Sequence, residues 1–316
     1  MPLPIDGAPF TQPDSINLIE RIQTQAIATP FCERPIATAF VHWPRALAPD
    51  ESAPLIAHPE AQAPLLLIHG FDSSVLEFRR LMPRLAHYRE TWAIDLLGFG
   101  FTERPPSVPY TAASIKQHLY ATWRSLIDRP VVLVGASMGG AAAMDFALTY
   151  PDSVEALVLL DSVGAARGPN LSRFLPPLVG QLAAGILRNP GVRQRISRQA
   201  YFDPTFASDD AARCAALHLA CPNWQGALTD FTRSGGYSVL TRRQIAQVAQ
   251  PTLLLWGRND AILGTKTATE LQRLIPNSVL SWIDHCGHVP HLERPDEVTE
   301  RIRTYAIGQS LYRLSP

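Results

Sequence analysis

A serine hydroxyl becomes a nucleophile when a base can take its proton. The base works best when a carboxylate fixes its tautomer and balances its charge. This chain carries all three residue types directly after short apolar runs. Residues 131–140 read Val-Val-Leu-Val-Gly-Ala-Ser-Met-Gly-Gly, so Gly135-Ala136-Ser137-Met138-Gly139 fits G-x-S-x-G between a β-branched run and an alanine-rich one. In a strand–turn–helix context the turn is too tight for side chains two places either side of the serine. Ser137 is then held at a strained backbone angle with its hydroxyl above the sheet. A glycine-rich turn that merely closes a strand–helix unit is the competing explanation.

The base and the acid are sought at other strand ends. Leu253-Leu254-Leu255-Trp256 runs into Gly257-Arg258-Asn259-Asp260, and the last loop reads His285-Cys286-Gly287-His288-Val289-Pro290-His291. His288, flanked by Gly287 and Val289-Pro290, suits a loop tip and is the expected base; His285 and His291 are its rivals. Asp260 is the expected acid, and Asp161, which ends another apolar run, is the rival. A tetrahedral oxyanion also needs two backbone N–H donors. Met138, directly after the serine, is one; Phe71, in His69-Gly70-Phe71-Asp72 after the run 65–68, is the other. Asp95 precedes Leu96-Leu97-Gly98-Phe99-Gly100 and fits a turn-capping role.

These residues need a scaffold. Apolar runs at 65–69, 92–96, 131–134, 156–160, 252–256 and 279–283 alternate with helical stretches near 75–87, 111–127, 139–149, 265–275 and 295–306. Such alternation predicts an α/β fold with a mostly parallel sheet covered on both faces. Before it, apolar residues at 16, 19, 22 and 26 predict a helix over 15–28 capped by Ser15 or Asp14, then a strand over 36–43 and a loop over 44–64. The alternation stops between about 162 and 245, where only helical patterns such as 171–188 and 208–220 occur. The expected organisation is an N-terminal extension (1–45), a core (46–161 and 246–316) and a helical cap (162–245). An insertion at the carboxyl ends of the strands would roof the site.

Composition narrows the function classes. Lys+Arg and Asp+Glu both number 28 in 316 residues, which gives no attraction for nucleic acid and makes a neutral or apolar substrate easier to accommodate. Cys32, Cys214, Cys221 and Cys286 show neither disulfide nor zinc spacing and are expected as free thiols. There is no signal-peptide pattern and no apolar run of membrane-spanning length, so a cytoplasmic protein is expected.

Taken together, His69-Gly70-Phe71, Asp95–Gly100, the turn at 135–139, Trp256–Asp260 and Gly287-His288-Val289-Pro290 make residues 64–306 similar to the capped members of the α/β-hydrolase fold superfamily. That group includes esterases, lipases, carbon–carbon bond hydrolases and haloalkane dehalogenases. The order Ser137, Asp260, His288 is the superfamily's own. Dehalogenases and epoxide hydrolases carry aspartate where Ser137 stands, and proline iminopeptidases carry a Gly-Gly-Pro-Gly type loop absent here. Phe71-Asp72-Ser73-Ser74 is less Gly/Pro-rich than the loop of most carbon–carbon bond hydrolases.

The resemblance implies a serine hydrolase that cleaves a carboxylic ester through an acyl-enzyme, with no metal or organic cofactor. The nearly uncharged stretch 174–187 suggests an apolar mouth, with Phe71, Phe174, Leu175, Leu178 and Val289 against a hydrophobic small-molecule ester. Arg167, Arg173 and Arg188 beside it would suit anionic headgroups in a peripheral membrane contact. A weaker similarity to chlorophyll dephytylases and pheophytinases points to a phytyl or other lipophilic ester. Two alternatives stand: a carbon–carbon bond hydrolase whose acidic substrate meets Arg258 or a cap arginine, and a non-catalytic ligand-binding protein of the same fold.

Overall fold

In the computed structural model, residues 4, 9–45, 62–165, 184–238 and 240–313 are described, with side chains as far as residue 305. The chain begins with helix α1 (Pro13–Glu20) and strands β1 (Gln23–Thr29) and β2 (Cys32–Trp43). β3 (Leu65–Ile68), helix α2 (Met82–Ala86), β4 (Thr91–Ile94), α3 (Ala112–Leu126), β5 (Val131–Ala136), α4 (Met138–Thr149) and β6 (Val154–Leu160) follow. Helices α5 (Pro190–Ala200), α6 (Asp209–Ala216), α7 (Trp224–Ser234) and α8 (Arg242–Ile245) come next. The chain returns through β7 (Thr252–Gly257), α9 (Thr265–Leu274), β8 (Ser278–Ile283), α10 (Pro290–Glu293) and α11 (Pro295–Arg313).

Eight strands form one sheet in the order β1-β2-β4-β3-β5-β6-β7-β8. β1 and β2 are antiparallel additions at one edge, and β4 through β8 run parallel. β3, β4, β5 and β7 are buried along their whole length, as strands covered on both faces must be. Side chains alternate between two apolar cores. Leu66, Ile68, Val131 and Leu133 pack with Leu119 of α3 and Phe146 of α4. Leu65, Leu67, Val132 and Val134 pack with Phe78, Leu81 and Val298 of α11.

Residues 184–245 contribute helices and no strand among the described residues, between the adjacent parallel strands β6 and β7. Phe174, Leu175 and Leu178, with Arg167 and Arg173, lie outside the described residues. No described helix is long and apolar enough to cross a membrane. Helix appears near 75–87 only as a 3-10 turn at Val75–Phe78 followed by α2. All four cysteines are free thiols.

The N-terminal helix is shorter than its apolar spacing predicts. α1 ends at Glu20, and residues 23–29 pair with β2 as an edge strand. Backbone pairing along the sheet overrides a helical repeat that rests on Ile22 and Ala26. Neither Ser15 nor Asp14 is the cap. Gln12 holds that position, Pro13 opens the helix, and Ser15 is buried within it. The chain entering the helix is held from the insertion instead. Asp210 of α6 accepts from the Thr11 N–H at 2.7 Å, the Gln12 N–H at 3.2 Å and the Ser15 hydroxyl at 2.5 Å. Burial pushes its carboxyl up, but these donors outweigh it and hold Asp210 below the usual carboxylate range. Asp210→Ala is therefore expected to lose about 2 kcal/mol of stability, read as a lowered urea midpoint at unchanged slope.

Candidate active site

Ser137 sits between β5 and α4 with φ 51° and ψ −115°. Its N–H donates to Leu160 O, and its carbonyl accepts from Gly140 and Val163. A Cβ at Gly135 would collide with the backbone of Gly139, and one at Gly139 with the Ile68 and His69 carbonyls. The glycines thus permit a close approach of α4 to β3, which delivers the loop after β3 to the serine. The ideal Cβ position at Gly70 is 3.4 Å from Ser137 Cβ.

His288 follows β8. Its Nε2 lies 3.0 Å from Ser137 Oγ, and its Nδ1 lies 3.0 Å from Asp260 Oδ2. This leaves Nε2 to accept from the serine hydroxyl while the Nδ1 proton faces the carboxylate. Asp260 Oδ1 is occupied by the Ile262 and Leu263 amides at 2.7 and 3.1 Å. Burial works against the charged form of Asp260, but the His288 hydrogen bond, the His288 charge and the two amides outweigh it and lower its pKa. Asp161 is adjacent, so that one donor atom each from Asp161, Asp260 and His288 lie within 4.8 Å of one another. Asp161 accepts from the Gly257 N–H at 3.0 Å, and its Oδ2 has no partner. Burial first, and then the Asp260 charge, push the Asp161 carboxyl well above the usual range. The structure thus gives the histidine's Nδ1 to Asp260, with Asp161 beside that pair.

The rival histidines are engaged elsewhere. His291 is buried with Nε2 3.0 Å from the Glu77 carboxylate, and His285 lies against the Phe202 ring. Asp95 is a turn-capping group: its two oxygens accept from Val75 N–H and Phe101 N–H, each at 2.6 Å. His69 donates from Nδ1 to Gly70 O at 2.7 Å and accepts the Leu96 N–H at Nε2; burial depresses its pKa to about 4.

Three buried carboxylates that sequence reasoning passed over hold the loops. Glu77 accepts the Gly70 N–H at 2.9 Å. Asp72, at φ 49°, accepts from Arg193 at 2.6 Å and Trp224 at 2.8 Å, with His218 Nε2 at 3.1 Å, so helices α5 and α7 are fastened to the loop after β3. Glu293 accepts from Gly287, Phe202 and Asp203, and the His288 N–H donates to Ala200 O at 2.7 Å. The one available signal was a single carboxylate among large apolar residues, as in Val75-Leu76-Glu77-Phe78. Among the described residues, the amides of Phe71 and Met138 have no hydrogen-bond partner.

A cavity of about 740 Å³ opens over Ser137 and His288. Leu187, Ile196, Leu219, Ile262 and Leu292 line it together with Phe71 and Val289, the two described residues among those expected at an apolar mouth. Arg188 reaches the cavity as well, but Arg258 pairs with Asp284 at 2.5 Å on the surface and is absent from the lining.

With this geometry the chain matches the alpha/beta hydrolase fold family over residues 63–295, and it belongs to that family. The Arabidopsis thaliana alpha/beta hydrolase domain-containing protein VTE7 is 32% identical over 306 residues, covering 96% of this chain and 92% of its own length. The 2-hydroxy-6-oxo-2,4-heptadienoate hydrolase of Pseudomonas putida is 32% identical over 240 residues, covering 73% of this chain and 84% of that protein. Among solved structures, a putative lipase from Acinetobacter baumannii superposes with a TM-score of 0.74 at 21% identity, covering 97% of this chain and all of that one.

Glu77 generates a pH prediction. Burial opposes its ionisation, but the His291 hydrogen bond and the His291 and His69 charges bring its pKa down from 4.5 to about 2. A carboxylate depressed in the folded state stabilises above its unfolded value and loses that contribution as pH falls toward the folded one. Relative to Glu77→Gln, the unmodified protein is expected to lose about 1.4 kcal/mol per pH unit below about pH 4.5. Urea unfolding of both proteins across that range checks it; a constant difference would refute it.

Proposed function

We propose that the protein is a serine hydrolase that cleaves the carboxylic ester of a hydrophobic substrate, such as a phytyl or other lipophilic ester. The observation that carries this reading is the continuous hydrogen-bonded chain Ser137–His288–Asp260 opening into a mostly apolar cavity. His288 takes the serine proton at Nε2 as Oγ attacks the ester carbonyl, and Asp260 stabilises the resulting imidazolium. The free N–H groups of Phe71 and Met138 serve as oxyanion donors, each worth about 2.7–4 kcal/mol of barrier. The alcohol departs with the proton from His288. Water deprotonated by the same histidine then releases the acid and restores the serine.

A second reading is favoured by the Pseudomonas putida relative, whose substrate is a dienoate. In that reading the same serine and histidine serve a carbon–carbon bond hydrolase. The two separate on p-nitrophenyl esters from acetate to palmitate. The ester reading expects turnover that rises with chain length and falls at least about 10³-fold in Ser137→Ala. Absence of serine-dependent turnover at every length would overturn it and bring the dienoate forward.

The two carboxylates give a further expectation. Asp260→Asn is expected to lower kcat by about 10⁴, because the histidine loses the anion that fixes its tautomer. Asp161→Asn is expected to stay within about tenfold, since His288 Nδ1 is bonded to Asp260 and Asp161 is held by the Gly257 amide. Equal losses in the two variants would contradict the assignment of Asp260.

A further inference from the structure

Three donors converge on the side chain that directly follows Phe71. The buried Asp72 carboxylate accepts from Arg193 of α5 at 2.6 Å and from Trp224 of α7 at 2.8 Å. Nε2 of His218, in the 3-10 turn Leu217–Ala220, lies 3.1 Å away, and a carboxylate can only accept, so the Nε2 proton faces it. All three partners come from the insertion. Burial pushes the Asp72 carboxyl up, but the His218 and Arg193 contacts outweigh it and hold it below the usual carboxylate range. Asp72 also stands at φ 49°, a left-handed conformation that a residue with a side chain keeps only where its surroundings hold it.

The backbone before the Phe71 amide is held differently. That amide shares one planar peptide group with Gly70 O, which accepts from His69 Nδ1 at 2.7 Å, while the Gly70 N–H donates to Glu77 at 2.9 Å. His69 and Glu77 belong to the core and Asp72 is tied to the insertion, so the two sides of the Phe71 amide are anchored to different parts of the chain. The Phe71 ring leans the same way, with its centre 6.3 Å from that of Phe231 on α7. We propose that Asp72 is a positioning residue for the reaction: it ties the strained turn after Phe71 to the insertion and thereby holds the Phe71 N–H where the oxyanion forms. The proposal rests on the hydrolase reading, because it concerns a donor of that site. A preorganised donor stabilises developing charge only at hydrogen-bond distance, so a small shift of this turn weakens it. The insertion then supports the transition state without placing a side chain on the reacting atoms.

The test compares octan-2-one with 1,1,1-trifluorooctan-2-one, two ketones of one chain length, by calorimetric titration. Only the fluorinated ketone is electrophilic enough to add. The bond from Ser137 Oγ to the carbonyl carbon forms, the carbonyl π pair moves to oxygen as the oxyanion, and the serine proton passes to His288 Nε2. The ratio of the two affinities therefore reads oxyanion stabilisation and cancels the cavity contacts that the ketones share. It is expected to be at least about 10² in the unmodified protein. Asp72→Asn keeps the size of the side chain and tolerates the left-handed backbone, and is expected to lower the ratio at least about tenfold. Trp224→Phe removes one donor to Asp72 on a residue that does not line the cavity, and is expected to lower it about threefold. Equal loss for the two ketones in these variants, or no loss for either, would overturn the proposal, since a merely structural clamp lowers the urea midpoint without moving the ratio. If Asp72→Asn does not fold, Trp224→Phe decides. A ratio near one in the unmodified protein would overturn the serine hydrolase reading together with this proposal, whereas a high ratio that survives in the variants overturns this proposal alone. An Asp72-dependent ratio without turnover of p-nitrophenyl esters would uphold it and sink only the ester preference.

Discussion

The backbone of Ser137 is the constraint on which the site depends. A non-glycine residue at φ 51° and ψ −115° costs on the order of 1–3 kcal/mol and persists only where its surroundings fix it. Here they do so from three sides. Leu160 of the neighbouring strand takes its N–H, Gly140 and Val163 take its carbonyl, and Gly135 and Gly139 let α4 and β3 close in. The bend that makes the serine prominent also turns the start of α4 toward it, so the Met138 amide lies in the same turn. Catalytic geometry and local strain are therefore one feature of the chain.

Around that turn, buried carboxylates act as backbone clamps. Glu77 holds Gly70, Asp72 holds the side chains of α5 and α7, and Glu293 holds Gly287 together with Phe202 and Asp203. Each anion is buried, and each is matched by charge-assisted donors, the condition under which burial of a charge is tolerated. Asp161 is the contrast. It has a single amide donor and a charged neighbour in Asp260, and burial together with that charge pushes its carboxyl well above the usual range.

The parallel strands were legible because buried runs such as Leu65–Ile68 and Val131–Val134 are bounded by turn residues, and the serine because G-x-S-x-G stood between two such elements. Asp260 and His288 were legible as polar residues just past strand ends, the edge where open α/β sheets place their chemistry. Hydrogen bonds across long sequence separations were not. Nothing local to Asp210 announces that it holds the start of a helix almost two hundred residues earlier, nor does Asp72 announce Trp224. The Gln23–Thr29 segment was misjudged for the same reason: pairing with β2 decided its conformation, and apolar spacing alone does not encode that partner.

The bond from the His288 amide to Ala200 O, with Glu293 joining Gly287 to Phe202 and Asp203, makes the end of α5 part of the histidine's own support. The end of α5 and the loop that carries His288 are therefore one hydrogen-bonded unit, and a displacement of one is felt directly by the other.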